Sequence, residues 1–141
     1  MKINFLIPAI ISYLFTLTLP ANAQETRCGW LANPTPANSY LKDTDGTWTL
    51  SVQGGYQASG MENIPDLDGP EYVKTNGNYG YTCACLEVNT DSSQMKVTRI
   101  QRVEPLPLST CQQDANLPAW CPGSKTQYII DTKKSQNLSI N

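Results

Sequence analysis

The sequence predicts a mostly β fold, a single small antiparallel β-barrel or sandwich stapled by disulfides. Three observations carry that reading. Apolar and polar residues alternate with period two in several short runs, each bounded by Gly, Asn, Asp or Pro. Helical periodicity is scarce. All five cysteines, Cys28, Cys83, Cys85, Cys111 and Cys121, lie beyond the first 23 residues, and an oxidising compartment turns such thiols into bridges.

The opening stretch stands apart from the domain. Lys2, an apolar run over residues 3–19 and the closing Pro20-Ala21-Asn22-Ala23 form an export signal. Small side chains at Ala21 and Ala23 suit a signal peptidase that cuts before Gln24. Pro8 and Pro20 bracket the run and no charged cluster follows it, which argues against a membrane anchor. The expected organisation is a cleaved signal over 1–23, one β-rich domain over 24–123, and an edge strand with a polar tail over 124–141.

Each element of that domain has its own signal. Residues 47–53 alternate, with Trp48, Leu50 and Val52 on the core face and hydroxyls opposite, between Asp45-Gly46 and Gly54-Gly55. A short strand is expected over 71–75, and Asn76-Gly77 marks a hairpin because both residues tolerate positive φ. The next strand, 79–88, sets Tyr79, Tyr81, Cys83 and Cys85 on one face and Thr82, Ala84, Leu86 and Val88 on the other. Residues 89–93 turn the chain into a strand over 95–103, where Ile100 breaks the alternation as a bulge would. Pro105 and Pro107 are expected to end it. A helical turn within 109–116 and a last edge strand over 126–131 complete the reading, before the polar tail frays. Asn137-Leu138-Ser139 fits the glycosylation triplet, a common match of little weight.

Cys83 and Cys85, on one strand face, would lie about 6.5–7 Å apart with parallel Cβ vectors, which is poor disulfide geometry. At least one bridge from that strand to Cys28 or Cys111 is therefore expected, with Cys121 the odd cysteine. Closing a loop of about 55 residues contributes roughly 4 kcal/mol.

Charge and composition exclude several functions. Lys2 is the only charge removed with the signal, so 9 basic residues stand against 12 acidic ones, a net of −3. That balance does not suit nucleic acid or anionic lipid. The chain has no histidine, so Ser-His-Asp and Cys-His nucleophile systems are excluded. Cys83-x-Cys85 lacks the spacing of zinc knuckles and redox motifs, so no metal or cofactor is expected. Asp43-x-Asp45-Gly46 begins like a calcium loop, but Trp48 stands where glycine is needed and Gly54 where glutamate is. Glu62, Asp66 and Asp68 would suit a carboxylate-based hydrolase, although their Pro-Asp-Leu-Asp-Gly-Pro setting is turn composition.

Several motifs are specific: Arg27-Cys28-Gly29-Trp30, Asn33-Pro34-Thr35-Pro36-Ala37-Asn38, Asp45-Gly46-Thr47-Trp48-Thr49-Leu50, Gln53-Gly54-Gly55-Tyr56-Gln57-Ala58, Asn76-Gly77-Asn78-Tyr79-Gly80-Tyr81 and Cys83-Ala84-Cys85-Leu86. The stretch that holds them, residues 27–86, resembles a family of small exported bacterial proteins catalogued only as a domain of unknown function. The resemblance implies a periplasmic or secreted setting and nothing catalytic, and it thins after Glu104.

Both phenylalanines leave with the signal, so every remaining aromatic ring is a Trp or Tyr with a polar handle, the kind enriched at interfaces. Trp48 is expected in the core, and Tyr40, Tyr56, Asn78 and Tyr79 on a recognition surface. The function expected first is a non-enzymatic exported binding module with a protein partner in the cell envelope, inhibitor- or immunity-like toward a periplasmic or cell-wall enzyme. The electrostatic fit of an acidic module to basic lysozyme-like enzymes favours it. A glycan or small-molecule binder at the cell wall is the second reading, and a carboxylate-based hydrolase the third. The intact mass of protein recovered from the producing cell should show a chain that starts at Gln24. A chain that keeps Met1, or stays with carbonate-washed membranes, would refute cleavage.

Overall fold

The structure, a computed structural model, describes residues 23–120. Residues 1–22 of the expected export signal, Cys121, the expected strand over 126–131 and the tail lie outside the described residues. Six strands form one sheet: β1 Glu25–Thr35, β2 Asn38–Asp43, β3 Gly46–Ser51, β4 Val73–Asn76, β5 Tyr79–Asp91 and β6 Lys96–Leu106. A 3-10 turn, Met61–Asn63, lies between β3 and β4, and the short helix α1, Leu108–Gln112, follows β6. The mostly β class read from the sequence is what the chain adopts.

The pairings return on themselves. They run β1–β2–β3–β6–β5, and β5 pairs again with β1 from Glu25–Val88 to Asn33–Gly80. β4 continues the β6 edge of β5. All of these ladders are antiparallel except β3–β6, a parallel seam at Thr49–Lys96 with the Thr49 amide donating to Met95 O at 2.9 Å. Ser59 reinforces the seam: its amide donates to Thr98 O (3.1 Å) and its carbonyl accepts from the Ile100 amide (2.8 Å).

β5 separates two layers by simple alternation. Ala84, Leu86 and Val88 join Leu31, Leu41, Trp48, Leu50, Val97 and Ile100 in the inner core. On the opposite face Cys83 packs with Trp30 and Cys111, and Tyr81, Leu106, Leu117 and Trp120 cover them. Two disulfides sit on this face, Cys28–Cys85 and Cys83–Cys111. Cys28 and Cys85 are direct ladder partners, while Cys83 ties β5 to α1. Two such bridges belong to an oxidising, non-cytoplasmic compartment.

At the β2–β3 turn a polar knot replaces apolar packing. Asp43, only 5% exposed, takes the Asp45 amide (2.9 Å), the Gly46 amide (3.2 Å) and Trp48 Nε1 (3.0 Å) on Oδ1. Its Oδ2 takes the Arg27 guanidinium at 2.8 Å, which also reaches Asp45 and Glu25 and lies 3.9 Å from the centroid of the Trp48 ring. Burial opposes the Arg27 charge, yet the hydrogen bonds to Asp45, Asp43 and Glu25 outweigh it and raise the pKa. The pair of aspartates that opens like a calcium loop thus holds an internal cation.

Several boundaries differ from the sequence expectations for identifiable reasons. β3 stops at Ser51, and Val52, expected on the core face, is 40% exposed because the chain turns away through Gly54. β4 begins two residues late, at Val73. β5 continues to Asp91 because β6 pairs with it from Cys83 to that residue. Ile100 does break phase: Gln101 and Thr98 have no opposite residue on β5, so Val97, Ile100 and Val103 all face inward three apart. Pro105 does not end β6 but lies opposite Ala84, at an edge position where a missing N–H is tolerated. The helical turn starts at Leu108 and stops at Gln112.

Non-reducing peptide mapping should recover Cys28 joined to Cys85 and Cys83 joined to Cys111. The bridges span 57 and 28 residues, contributions of roughly 4 and 3.5 kcal/mol on the loop-entropy scale. The Cys83→Ala, Cys111→Ala pair should lower Tm by about ten degrees or more. A recovered Cys28–Cys83 peptide would contradict the register of β1 on β5.

Candidate functional site

At the end of the sheet opposite the polar knot, the strands leave a cleft of about 340 Å³. β1 supplies Leu31 and Asn33, and β2 supplies Ser39. The 3-10 turn and the loop after it supply Met61, Ile64, Pro65, Asp66 and Leu67. Tyr72, Asn78 and Tyr79, around the β4–β5 hairpin, close the far side. A volume and a mixed lining of this kind are typical of binding clefts.

The loop wall is fixed at both ends. Gly60, at φ +80°, starts the 3-10 turn, and a side chain there would strike the Ile100 carbonyl. Asn63 Nδ2 donates to that same carbonyl at 2.9 Å. At the other end the Thr82 hydroxyl donates to Glu71 O (2.7 Å), and Glu71 Oε2 accepts from the Leu108 amide (2.6 Å). The Tyr72 hydroxyl spans the β4–β5 turn and donates to Asn78 O at 3.1 Å. Gly80 allows this hairpin to close, since a Cβ there would overlap the Val73 carbonyl. Asn33 Oδ1 is buried and has no hydrogen-bond partner, an acceptor that normally requires one.

Of the residues chosen from sequence, the structure brings Asn78 and Tyr79 to the cleft and not Tyr40 or Tyr56. Tyr40 stands on β2 between Ala32 and Thr49. Tyr56 packs against the inner core, its hydroxyl donates to Val97 O at 2.8 Å, and the Lys96 ammonium lies 4.7 Å from its ring centroid. Burial, followed by the charge of Asp91, raises the Tyr56 pKa. Asn33, Leu67 and Tyr72 are cleft residues that the sequence does not single out. The one signal for Tyr72 is its place just after Gly69-Pro70, facing the Asn76-Gly77 turn. Asp66 lines the cleft, while Glu62 and Asp68 are exposed on the same loop.

A second cavity, about 380 Å³, lies under the C-terminal part of the described chain, among Trp30, Tyr81, Cys111, Leu117 and Trp120. Trp30 Nε1 donates to Pro118 O at 3.0 Å, and the Tyr81 ring lies against both Trp30 and Trp120. This cavity is the underside of a disulfide-anchored strap.

Burial raises the Tyr72 pKa above its ordinary value of 10.0. An acid whose folded pKa is raised keeps its stabilising effect below the unfolded value and loses it as pH climbs through the folded one. Stability should therefore fall above about pH 10, and Tyr72→Phe should reduce that alkaline loss while costing about 1 kcal/mol at pH 7 for the lost hydrogen bond. Urea unfolding of both proteins at pH 7 and above pH 10 measures this, and equal alkaline losses would refute it.

No curated protein and no solved structure matches the chain. A family model does match, over residues 22–118, well past Glu104, where the sequence motifs thin. The chain therefore belongs to the family described as "Protein of unknown function (DUF4087)".

Proposed function

We propose that this protein is an exported, non-enzymatic binding module that seats part of a protein partner in the cleft between β1, the 61–67 loop and the β4–β5 hairpin. The partner class is an enzyme of the cell envelope, held as an inhibitor or immunity protein would hold it. One observation carries the reading: a cleft anchored at both ends of its loop wall, with tyrosine and aliphatic sides, around a buried acceptor that no protein group satisfies. A rigid cleft loses little entropy when filled, and aromatic anchors dominate most interfaces. The run over residues 3–19, Ala21-x-Ala23 and the two disulfides support export.

A photo-crosslinking residue placed at Leu67 in the producing cell should capture one defined envelope protein. The same residue at exposed Val52 should not. Tyr79→Ala, with unchanged circular dichroism, should weaken the captured complex by about 1–2 kcal/mol. No adduct from position 67, or the same adduct from position 52, would overturn the proposal.

A further inference from the structure

We infer that the cleft receives a lysine or arginine side chain presented by its protein partner, an inference that rests on the binding reading above. Two hydroxyl donors of the cleft wall are already engaged. Ser39 Oγ donates to Ala32 O at 3.3 Å and the Tyr72 hydroxyl donates to Asn78 O at 3.1 Å. The acceptors are not engaged in the same way. Asn33 Oδ1 has no partner, and no described cation pairs with Asp66. A ligand that satisfies Asn33 Oδ1 must bring a donor.

Charge points the same way. Between Lys42 and Lys74 the chain carries six acidic residues and no basic one, and this stretch includes the whole loop wall of the cleft. At the rim, the Lys74 ammonium already donates to Asn78 Oδ1 at 3.3 Å, an internal instance of the same recognition. The remaining sides are apolar, with Leu31, Met61, Ile64 and Leu67. A lysine or arginine side chain has this composition in one body, an apolar stem with a donor-rich cationic tip. An anionic group would meet the like charge of Asp66. A purely apolar side chain would leave Asn33 Oδ1 buried and unpaired.

The test titrates the isotope-labelled mature protein with Nα-acetyl-lysine methylamide, its norleucine counterpart and N-acetylglucosamine, followed by amide chemical shifts. The lysine probe should move the amides of Asn33, Leu67 and Tyr79, and the norleucine probe should bind at least about fivefold more weakly for want of one charge-assisted hydrogen bond. Asp66→Asn, an exposed site whose change leaves the fold intact, should weaken the lysine probe about twofold to fivefold and flatten its salt dependence. Norleucine or sugar binding as tightly as lysine, or lysine shifts that map elsewhere or are absent at millimolar probe, would overturn the inference. If the Leu67 crosslink to a partner persists beside such a result, the binding reading stands and only the basic side chain falls. Lysine binding without any crosslinked partner would instead remove the protein-partner reading.

Discussion

The alternation of β5 is the constraint on which the rest of the molecule depends. This 13-residue strand lies against β1 on one edge and against β4 and β6 on the other. Its even residues from Thr82 to Val88 face inward and are all buried, while Tyr81, Cys83 and Cys85 face outward. A slip of one residue against β1 would turn Leu86 and Val88 to the outer layer and carry both bridging cysteines into the core. Which residues fill the core and which face the bridging cysteines take are therefore one choice rather than two.

The two ends of the sheet are finished in opposite ways. Near the β2–β3 turn, Arg27, Asp43 and the Trp48 indole satisfy one another, and the buried carboxylate has a partner for each donor aimed at it. A buried charge left without its partner is costly, so that end has little freedom to change. At the other end, where β1 and β2 reach Asn33 and Ser39, the packing stops short and leaves an acceptor open. Few buried groups go unsatisfied in a folded protein; among the described residues Gln101 Oε1 and Trp120 Nε1 share this state, and Asn33 is the one of the three that lines the cleft.

Much of the sheet is legible in the residues. Trp48-Thr49-Leu50 and Ala84-Cys85-Leu86-Glu87-Val88 alternate because one side of each strand meets the core. β1 and β2 show no such signal. Gly29 to Ala32 are all buried, since the inner core covers one face of β1 and Trp30 with its aromatic neighbours occupies the other, so burial runs on without alternation. In β2 the inward positions are Ser39, Leu41 and Asp43, so burial alternates while hydropathy does not. The cleft was only half legible for a related reason. Asn78 and Tyr79 advertise themselves at a hairpin turn, whereas Asn33 and Leu67 matter through pairings and loop closures that bring distant segments together.

The ladder that joins Cys28 to Cys85 also shapes how the chain must oxidise as it folds. A mispaired Cys28–Cys83 would close a loop only two residues shorter than the native 57, an entropic difference of about 0.1 kcal/mol or less. A slip of two residues along β1 would keep every side chain on its proper face, so apolar patterning alone does little to reject the wrong bridge. Rejection falls to later-forming structure: Cys111 arrives last along the described chain and needs Cys83 free. Thiol–disulfide exchange is slow beside strand pairing, and a trap with correct inside-out patterning makes refolding depend on a thiol catalyst or redox buffer.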